Sequence, residues 1–197
     1  VSTGTQRGTA VHGNKVFVTT TDSKLVALDT RTGNVIWETA IVGDRLRFAG
    51  QAPLVAKGKV IMSGNGQPSG FIQAYDVETG KHLWTWHAVP QKAGDPGAET
   101  WANDSWKLGG GPVWVSGSFD PELGLTYWGT GNPAPFPGTL DFPNASSREE
   151  PNLYSNSALA IAHHTGELIW YNYLNPDDLF DLDLQASPML AEVQIDA

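Results

Sequence analysis

The sequence predicts an all-β fold built from repeated four-stranded units, and three observations support this prediction. The first is the composition: 22 Gly, 13 Pro and 8 Trp among 197 residues, with 17% charged residues, favour many short strands joined by turns. The second is a repeated hairpin pattern, and the third is a repeated pattern that opens strands. The repeat length of about 45 residues is typical of the blades of a β-propeller.

The hairpin pattern is an Asp, a Thr-Gly pair and a Trp in fixed order. Two complete copies lie 47 residues apart and end at Trp37 and Trp84, and a third ends at Trp170 with Ala162 in place of the Asp. We expect the Asp and Thr to bond the backbone of their own turn and the Gly to adopt a positive φ. The Trp then lies on the following strand, where its large side chain fills the gap between neighbouring sheets.

The strand-opening pattern is a small residue, a Pro and two apolar residues. It occurs at 52–55, 111–114 and 187–190, and a Pro at the first position of a strand removes no ladder hydrogen bond. Each unit then has four strands, A to D, and residues 1–197 form one partial propeller domain of three blades plus the start of a fourth. The remainder of the propeller is needed to close the ring, because open blades leave sheet faces bare. A small open β-fold is the alternative, and it would leave the repeated Trp residues without a partner blade.

Up-and-down strands place the A–B and C–D turns on one face of the molecule and the B–C and D–A loops on the other. The A–B and C–D turns are short, whereas the long irregular stretches 88–110 and 133–156 are a D–A and a B–C loop. Both long loops therefore fall on one face, here called the loop-rich face. Loops carried by a rigid scaffold usually provide function, so we expect the site there.

Charge and residue content exclude several classes of function. The formal net charge of −9 argues against a nucleic-acid partner, because such partners are bound by Lys and Arg. The absence of Cys excludes disulfides and thiol chemistry. The sequence contains no run of 18 apolar residues, which is the pattern that predicts a membrane-spanning helix. The 5 His have no metal-ligand spacing on one face, and we expect them at the surface.

Two positions on the loop-rich face have side chains suited to ligand binding. Trp114 can provide the floor for a flat conjugated ligand, and packing between blades is the alternative. Asn132 lies between Gly131 and Pro133, which fix the backbone on both sides. Its rigid amide oxygen suits a hard cation such as calcium, and an ordinary Asx turn is the alternative.

The run 177–183 holds four carboxylates in seven residues. In an extended chain Asp181 and Asp183 would point the same way, and clustered carboxylates repel unless a cation or a proton intervenes. Metal binding, or a raised pKa for general-base catalysis, are the functional interpretations. A solvated acidic loop is the alternative.

Several strings in the chain resemble the family of alcohol dehydrogenases that depend on pyrroloquinoline quinone (PQQ). They are Arg-Gly at 7–8, Trp-Ala-Asn-Asp-Ser-Trp at 101–106, Gly-Gly-Gly-Pro-Val-Trp at 109–114, Trp-Gly-Thr-Gly-Asn-Pro-Ala-Pro at 128–135 and Phe-Asp-Leu-Asp at 180–183. The resemblance covers nearly the whole chain, in the same order. It implies an eight-bladed propeller, of which this chain is about the first half, and a periplasmic location.

The resemblance also implies roles by position. Trp114 resembles the Trp that stacks on PQQ, and Arg7 resembles the Arg that pairs with a PQQ carboxylate. Asn132 resembles the amide ligand of the metal, and Asp181 resembles the catalytic base. Asp183 matches an acidic position that supplies an extra lanthanide ligand in some members. The implied sites are cofactor-binding Arg7, Asn65 and Trp114, metal-binding Asn132, Asp181 and Asp183, and catalytic Asp181.

Two departures from the family pattern bear on the substrate. Members that oxidise alcohols often have adjacent Cys at the positions of Val1 and Ser2, and a Glu metal ligand in the loop 64–70, which here has no acid. Members that act on sugars also lack these features. The resemblance therefore implies oxidation of an alcohol, polyol or sugar with PQQ and calcium or a lanthanide, and electron transfer to cytochrome c or a quinone. The rival hypotheses are a non-catalytic propeller that acts as a binding or assembly scaffold, and a degenerate enzyme that binds its ligand without turnover.

Overall fold

The structure is a computed structural model, and it describes residues 7–43, 46–48, 51–66, 69–144, 151–176, 178, 180–184 and 186–194. Thirteen strands and two short 3₁₀ helices, Ala98–Thr100 and Ala102–Leu108, lie in these ranges. Neither helix is long or apolar enough to cross a membrane. The predicted all-β fold is confirmed.

The strands form three antiparallel sheets, here called blades 1 to 3. Blade 1 consists of β1 (Ala10–His12), β2 (Lys15–Thr19), β3 (Lys24–Asp29) and β4 (Val35–Ala40). Blade 2 consists of β5 (Leu46–Phe48), β6 (Leu54–Ala56), β7 (Lys59–Gly66), β8 (Gly70–Asp76) and β9 (His82–His87). Blade 3 consists of β10 (Ser118–Asp120), β11 (Leu125–Gly129), β12 (Ser157–Ala162) and β13 (Leu168–Tyr173). Strands pair in chain order within each blade, except that β5 and β6 both pair with β7.

The Thr-Gly turns are held as the sequence predicts. Between β3 and β4, the Asp29 carboxylate accepts hydrogen bonds from the backbone N–H groups of Arg31 and Thr32 at 3.0 and 2.8 Å, and from the Thr32 hydroxyl at 2.9 Å. Gly33 follows with a φ of 74°. The turn between β8 and β9 repeats this geometry around Asp76. The turn between β12 and β13 lacks the carboxylate and keeps the glycine with positive φ.

A tryptophan of blade 1 docks on the turn of blade 2. The ring of Trp37, on β4, lies against Gly80 so closely that a Cβ atom there would be 2.7 Å from the ring. The indole N–H of Trp37 donates to the Val77 carbonyl at 3.3 Å. The glycine is therefore required both for its positive φ and for the space that it leaves to the indole.

Trp84, on β9, repeats this contact on blade 3. Its ring lies against Gly166, and its indole N–H donates to the His163 carbonyl at 3.2 Å. In both cases the accepting carbonyl belongs to the residue three positions before the glycine. We call this arrangement, a Trp ring on a turn glycine with its N–H on that carbonyl, the docking contact. It confirms, for Trp37 and Trp84, that the repeated Trp residues fill the space between neighbouring sheets.

Two apolar cores lie between the blades. On β7, Val60 and Met62 belong to the core with blade 1 and Ile61 to the core with blade 3, because successive side chains of a strand point to opposite faces. The first core contains Phe17, Leu25, Ala27, Ile41, Val60, Met62, Phe71, Tyr75 and Val77. The second contains Ile61, Ile72, Ala74, Trp84, Ala88, Val113, Trp128, Leu159 and Ile161. Blade 2 is therefore covered on both faces.

His163 contradicts the expectation that the histidines lie at the surface. It is 5% exposed, its Nε2 lies 3.0 Å from the Ala56 carbonyl, and its ring centroid lies 4.9 Å from that of Phe119. Burial lowers the pKa of this imidazole. The expectation is wrong because the third turn packs against blade 2, where its backbone also anchors Trp84.

The strand-opening pattern predicts one strand correctly and two wrongly. Residues 52–55 lead into β6, whereas neither 111–114 nor 187–190 forms a strand. The three glycines at 109–111 all have positive φ and the proline that follows has no N–H, so the chain turns away from a ladder. Trp114 therefore lies in irregular chain before β10, and not at the start of an inner strand.

Candidate active site

The loop-rich face is assembled by close backbone contacts between three connections. The loop between β9 and β10 meets the start of β8 through a hydrogen bond from the Gly70 N–H to the Gly110 carbonyl at 2.9 Å. It meets the loop between β11 and β12 through a bond from the Gly111 N–H to the Asn132 carbonyl at 2.6 Å. Glycine is required because a Cβ atom on Gly70 would overlap the Gly111 carbonyl. The predicted gathering of the long loops on one face is confirmed.

Asn132 stands at the centre of the polar part of this face. It is 6% exposed. Its backbone N–H donates to Oδ1 of Asp183 at 2.7 Å, and its side-chain Nδ2 donates to Oδ1 of Asp181. Its own Oδ1 is buried and has no hydrogen-bond partner among the described residues. The structure therefore brings together the three residues that the sequence predicts as a metal site.

The loop that carries the two aspartates is shaped by a third one, Asp178, which is 3% exposed. Its carboxylate accepts hydrogen bonds from the backbone N–H groups of Phe180 at 3.1 Å, Leu182 at 2.9 Å and Asp183 at 3.3 Å. Asp181 and Asp183 have φ angles of 60° and 53°. The chain is therefore not extended at these positions, because the Asp178 carboxylate folds the loop back on itself. Both side chains nevertheless reach Asn132.

Two glycines explain how the aspartate loop comes so close. A Cβ atom on Gly131 would overlap the Asp183 carboxylate, and one on Gly129 would lie 2.5 Å from the Leu184 carbonyl. Gly129 ends β11, so the strand fixes the position of Asn132 relative to the aspartate loop. The Gly-Thr-Gly-Asn string thus serves as a flat backbone surface on which the loop packs.

Asp183 is in an environment that disfavours its charge. Burial raises its pKa to about 6, and the negative charges of Asp181 and Asp178 act in the same direction. The hydrogen bond from the Asn132 N–H acts in the opposite direction but does not cancel the effect. A cation placed beside this carboxylate would relieve the repulsion.

The second part of the site is a pair formed by Arg7 and Trp114. The guanidinium carbon of Arg7 lies 5.3 Å from the centroid of the Trp114 ring, which is the range of a cation–π contact. Trp114 is half-buried, and its indole N–H is buried without a hydrogen-bond partner among the described residues. The ring is thus not sealed between two sheets in the manner of Trp84.

Short backbone links connect this pair with the Asn132 group. The Val113 N–H donates to the Gly64 carbonyl at 3.3 Å. Asn65 follows Gly64 in the chain and Trp114 follows Val113, so this bond brings the backbones of Asn65 and Trp114 near each other. The Gly131 N–H donates to the Pro112 carbonyl at 2.8 Å. Asn65 is half-buried near the end of β7. The structure therefore places all six predicted site residues on one face; their roles stay predictions.

Two residues that hold the site were not assigned a role from the sequence. Asp178 belongs to the acidic run, and an Asp followed by residues that can fold onto its carboxylate is a signal for an Asx-type loop. Gln51 is 2% exposed, and its Nε2 donates to the Val113 carbonyl at 3.0 Å. No sequence pattern points to Gln51, because its partner lies 62 residues away. Asp177, in the same acidic run, lies outside the described residues.

The donor atoms define what this arrangement can bind. Carboxylate and amide oxygens are ligands of hard cations such as calcium. Among the described residues, no group of three or more His, Cys, Asp or Glu has the geometry of a metal site. An amide oxygen is therefore needed, and Asn132 offers an orphaned Oδ1 while its backbone N–H and Nδ2 contact two carboxylates.

Comparison with known proteins gives one family. The PQQ family model described as "Glucose/ethanol/alcohol dehydrogenase, beta-propeller domain" matches residues 43–197. A quinohemoprotein alcohol dehydrogenase from Pseudomonas putida is 41% identical to this chain over an alignment 208 residues long, which covers 96% of this chain and 29% of the relative. A lanthanide-dependent methanol dehydrogenase from Methylacidiphilum fumariolicum is 35% identical over 200 residues, which cover 90% of this chain and 31% of the relative.

A solved structure has the same fold over nearly the whole chain. The quinohemoprotein alcohol dehydrogenase from Comamonas testosteroni matches with a TM-score of 0.85 and 34% identity, over 97% of this chain and 30% of that one. The chain thus spans less than a third of the length of these relatives.

Proposed function

We infer the function from one premise: this chain belongs to the family of PQQ-dependent glucose, ethanol and alcohol dehydrogenases, and residues 43–197 fall within the β-propeller domain of that family. We propose that the whole protein oxidises an alcohol, polyol or sugar to a carbonyl compound, with PQQ as the hydride acceptor, a bound cation and an aspartate base. Cytochrome c or a quinone as electron acceptor, and a periplasmic location, belong to the same proposal. The names of the relatives support the alcohol substrate.

One observation carries the proposal: the buried Oδ1 of Asn132 is unpaired among the described residues while two carboxylates adjoin the same residue. An unsatisfied buried acceptor costs about 1–3 kcal/mol, so that each one calls for an explanation, and a bound ion is one of the explanations that proteins provide. Asn132, Asp181 and Asp183 would therefore hold calcium or a lanthanide. One relative is named a lanthanide-dependent methanol dehydrogenase, which supports this choice of ion.

The chain's own residues supply binding and proton transfer. Trp114 would support the flat ring system of PQQ, and the planar guanidinium of Arg7 would pair with one of its carboxylates. Asn65, near the end of β7, would contact the edge of the same ligand. When bound, PQQ accepts a hydride and the cation acts as a Lewis acid.

Asp181 would act as the general base. Its side chain is exposed and is held by the Asn132 amide. It would accept the hydroxyl proton of the substrate while a hydride leaves the carbon that bears this hydroxyl, so that the products would be a carbonyl compound, the protonated Asp181 and a cofactor reduced by two electrons. The Asn132 amide would keep the carboxylate in the orientation that this transfer needs.

The test is substitution of the base in the full-length protein. Asp181→Asn should lower kcat by at least about 100-fold in a dye-reduction assay with PQQ, calcium or a lanthanide, and a panel of alcohols and aldoses. PQQ binding, followed by quenching of tryptophan fluorescence, should be retained. Glu122→Gln is the control, because Glu122 is exposed in the turn between β10 and β11 on the opposite face. Full activity of Asp181→Asn would exclude the base role.

The non-catalytic hypothesis makes a different prediction for the unsubstituted protein. The loop 64–70 has no acid at the place where the family pattern has a Glu ligand, and this departure favours weak cation binding. A scaffold would bind neither PQQ nor the cation, and a degenerate enzyme would bind PQQ without reducing dye. Titration of the full-length protein with PQQ in the presence and absence of calcium distinguishes the two.

A further inference from the structure

The stretch that carries Trp114, residues 113–116, is held to blade 2 by side chains where a strand would be held by a ladder. The described side-chain bonds run from Gln51 Nε2 to the Val113 carbonyl at 3.0 Å, from the Ser63 hydroxyl to the Val115 carbonyl at 3.3 Å, and from the Ser116 hydroxyl to the Ala52 carbonyl at 2.6 Å. A main-chain bond from the Val113 N–H to the Gly64 carbonyl adds to them. The course of this stretch therefore depends on a few named side chains.

Gln51 holds the peptide group directly before Trp114. The carbonyl that accepts its Nε2–H belongs to the peptide that joins Val113 to Trp114. This group is planar, so the direction of the carbonyl also fixes the direction in which the chain enters the Cα atom of Trp114. The N–H of Val113 is held separately by the Gly64 carbonyl. With the backbone fixed in this way, the indole can move only about its own side-chain torsions.

The segment 51–52 also contacts the chain that carries Arg7. Gly8 lies so close to Ala52 that a Cβ atom on the glycine would be 3.0 Å from the Ala52 Cβ. Arg7 directly precedes this glycine, and its guanidinium carbon lies 5.3 Å from the centroid of the Trp114 ring. One short segment of blade 2 therefore contacts the chains of both members of the cation–π pair.

The hydrogen bonds of Gln51 are those of a residue that contributes little to stability. It is 2% exposed, and its Oε1 is buried without a hydrogen-bond partner among the described residues. Gln73 is 1% exposed and is bonded at both ends: its Nε2 donates to the Val42 carbonyl, and its Oε1 accepts from the Tyr75 hydroxyl at 2.6 Å. An unpaired buried acceptor opposes the gain from a single hydrogen bond. Stability explains Gln73, whereas for Gln51 the fixed Val113 carbonyl is the evident benefit.

We propose that Gln51 is a positioning residue for the ligand floor: through the Val113 carbonyl it sets the orientation in which Trp114 meets a flat ligand. That this ligand is PQQ rests on the proposed function, whereas the orientation of Trp114 is a property of the chain without ligand. Stacking depends on the angle and offset between two ring systems. A ring that is not held in advance must be ordered when the ligand binds, and this ordering lowers affinity.

The first test follows Trp114 in the full-length protein without ligand. Gln51→Met keeps nearly the same side-chain volume and removes the donor. It leaves the Val113 carbonyl unpaired and removes the unpaired Oε1, so the melting temperature should change little. With 5-fluorotryptophan incorporated, the ¹⁹F resonance of Trp114, identified by its loss in Trp114→Phe, should shift or broaden in Gln51→Met. An unchanged Trp114 resonance in Gln51→Met overturns the proposal.

The second test measures the affinity for PQQ by isothermal titration calorimetry. Gln51→Met should raise Kd by about tenfold. In a Trp114→Ala background the same substitution should change Kd by less than about twofold, because Gln51 acts only through Trp114. A Kd unchanged by Gln51→Met, or an equal effect in both backgrounds, overturns the proposal. Absence of PQQ binding by the unsubstituted protein would instead contradict the proposed function, and the ¹⁹F result then decides the role of Gln51.

Gln73→Met is the matched control, because it replaces a second buried glutamine that also donates to a distant carbonyl. Its partner Tyr75 belongs to the core with blade 1, away from Trp114. The substitution leaves both the Val42 carbonyl and the Tyr75 hydroxyl without this partner, so it should lower the melting temperature more than Gln51→Met does. The Trp114 resonance and the Kd for PQQ should stay unchanged. The opposite order of melting temperatures, or an equal loss of PQQ affinity in Gln73→Met, would show a general loosening and overturn the proposal.

Discussion

Three neighbouring aspartates have different surroundings and therefore different properties. The Asp178 carboxylate binds the backbone of its own loop, where it accepts hydrogen bonds from three N–H groups. Asp181 is exposed and contacts the Asn132 amide. Asp183 is partly buried between the other two charges and Asn132, and its pKa is raised to about 6. The chain thus presents one carboxylate to solvent while it destabilises the charge of another.

The raised pKa of Asp183 predicts how stability depends on pH. The folded protein holds this proton more tightly than the unfolded chain, whose value is near 3.8, so the free energy of unfolding should fall as pH rises from about 4 to about 6. Asp183→Asn removes the charge while its amide oxygen can still accept the Asn132 N–H. We expect this variant to lose that part of the pH slope in urea unfolding at pH 4 to 8.

A control with the opposite sign is available in the first Thr-Gly turn. Hydrogen bonds from Thr32 lower the pKa of Asp29, so its contribution to stability is present at neutral pH and lost as pH falls. Asp29→Asn should therefore flatten the acidic limb of the profile and leave the region near pH 6 unchanged. An unchanged profile of Asp183→Asn between pH 4 and 6 would contradict the environment described for Asp183.

At the scale of elements, the turn glycines join local conformation to packing. Each Thr-Gly turn needs a residue with positive φ, and two of the three glycines also accept a tryptophan from the preceding blade. The turn of each of these blades is thus part of its interface with the preceding blade. A substitution there disturbs two blades at once.

A pair of substitutions separates these two roles. Gly33→Ala adds only the strain of positive φ, about 1 kcal/mol, because no atom of the described residues lies within 4 Å of its Cβ position. Gly80→Ala adds the same strain and a Cβ atom 2.7 Å from the Trp37 ring, and overpacking of this kind costs about 1–3 kcal/mol more. Urea unfolding at low protein concentration should show the larger loss for Gly80→Ala. Equal losses would exclude a close docking contact.

At the scale of the molecule, patterns that depend on neighbours in sequence predicted the structure well. The hairpins follow from the bonding of Asp29 and Asp76 to the next three residues, and the placement of the long loops follows from strand alternation. No strand forms at 111–114 because glycines with positive φ turn the chain there, and contacts with Gly70 and Asn132, which are distant in sequence, hold the turned chain in place. The folded geometry of the loop at Asp181 was not predicted, because it depends on the Asp178 carboxylate and its backbone partners.

The candidate site residues were predicted because the resemblance names them one by one. The residues that hold them in place were not predicted. Asn132 is predicted from the glycines and prolines that fix it, and the structure explains these glycines by the approach of the aspartate loop. Gln51 carries no signal in the sequence, because a buried amide that holds a distant carbonyl has no local pattern. The side chains that we propose to contact a ligand could be named from the sequence, and the side chains that hold them in place could not.

The burial of blade 2 on both faces has a consequence for how the molecule opens. Every residue from Gly70 to Tyr75 on β8 is buried, whereas blades 1 and 3 each have one half-open face within the described ranges. Amide protons of β8 should therefore exchange with deuterium more slowly than those of β4 and β13, because opening the middle sheet requires both interfaces to separate. The middle sheet would then open last, and the loops that it carries would keep their positions longest.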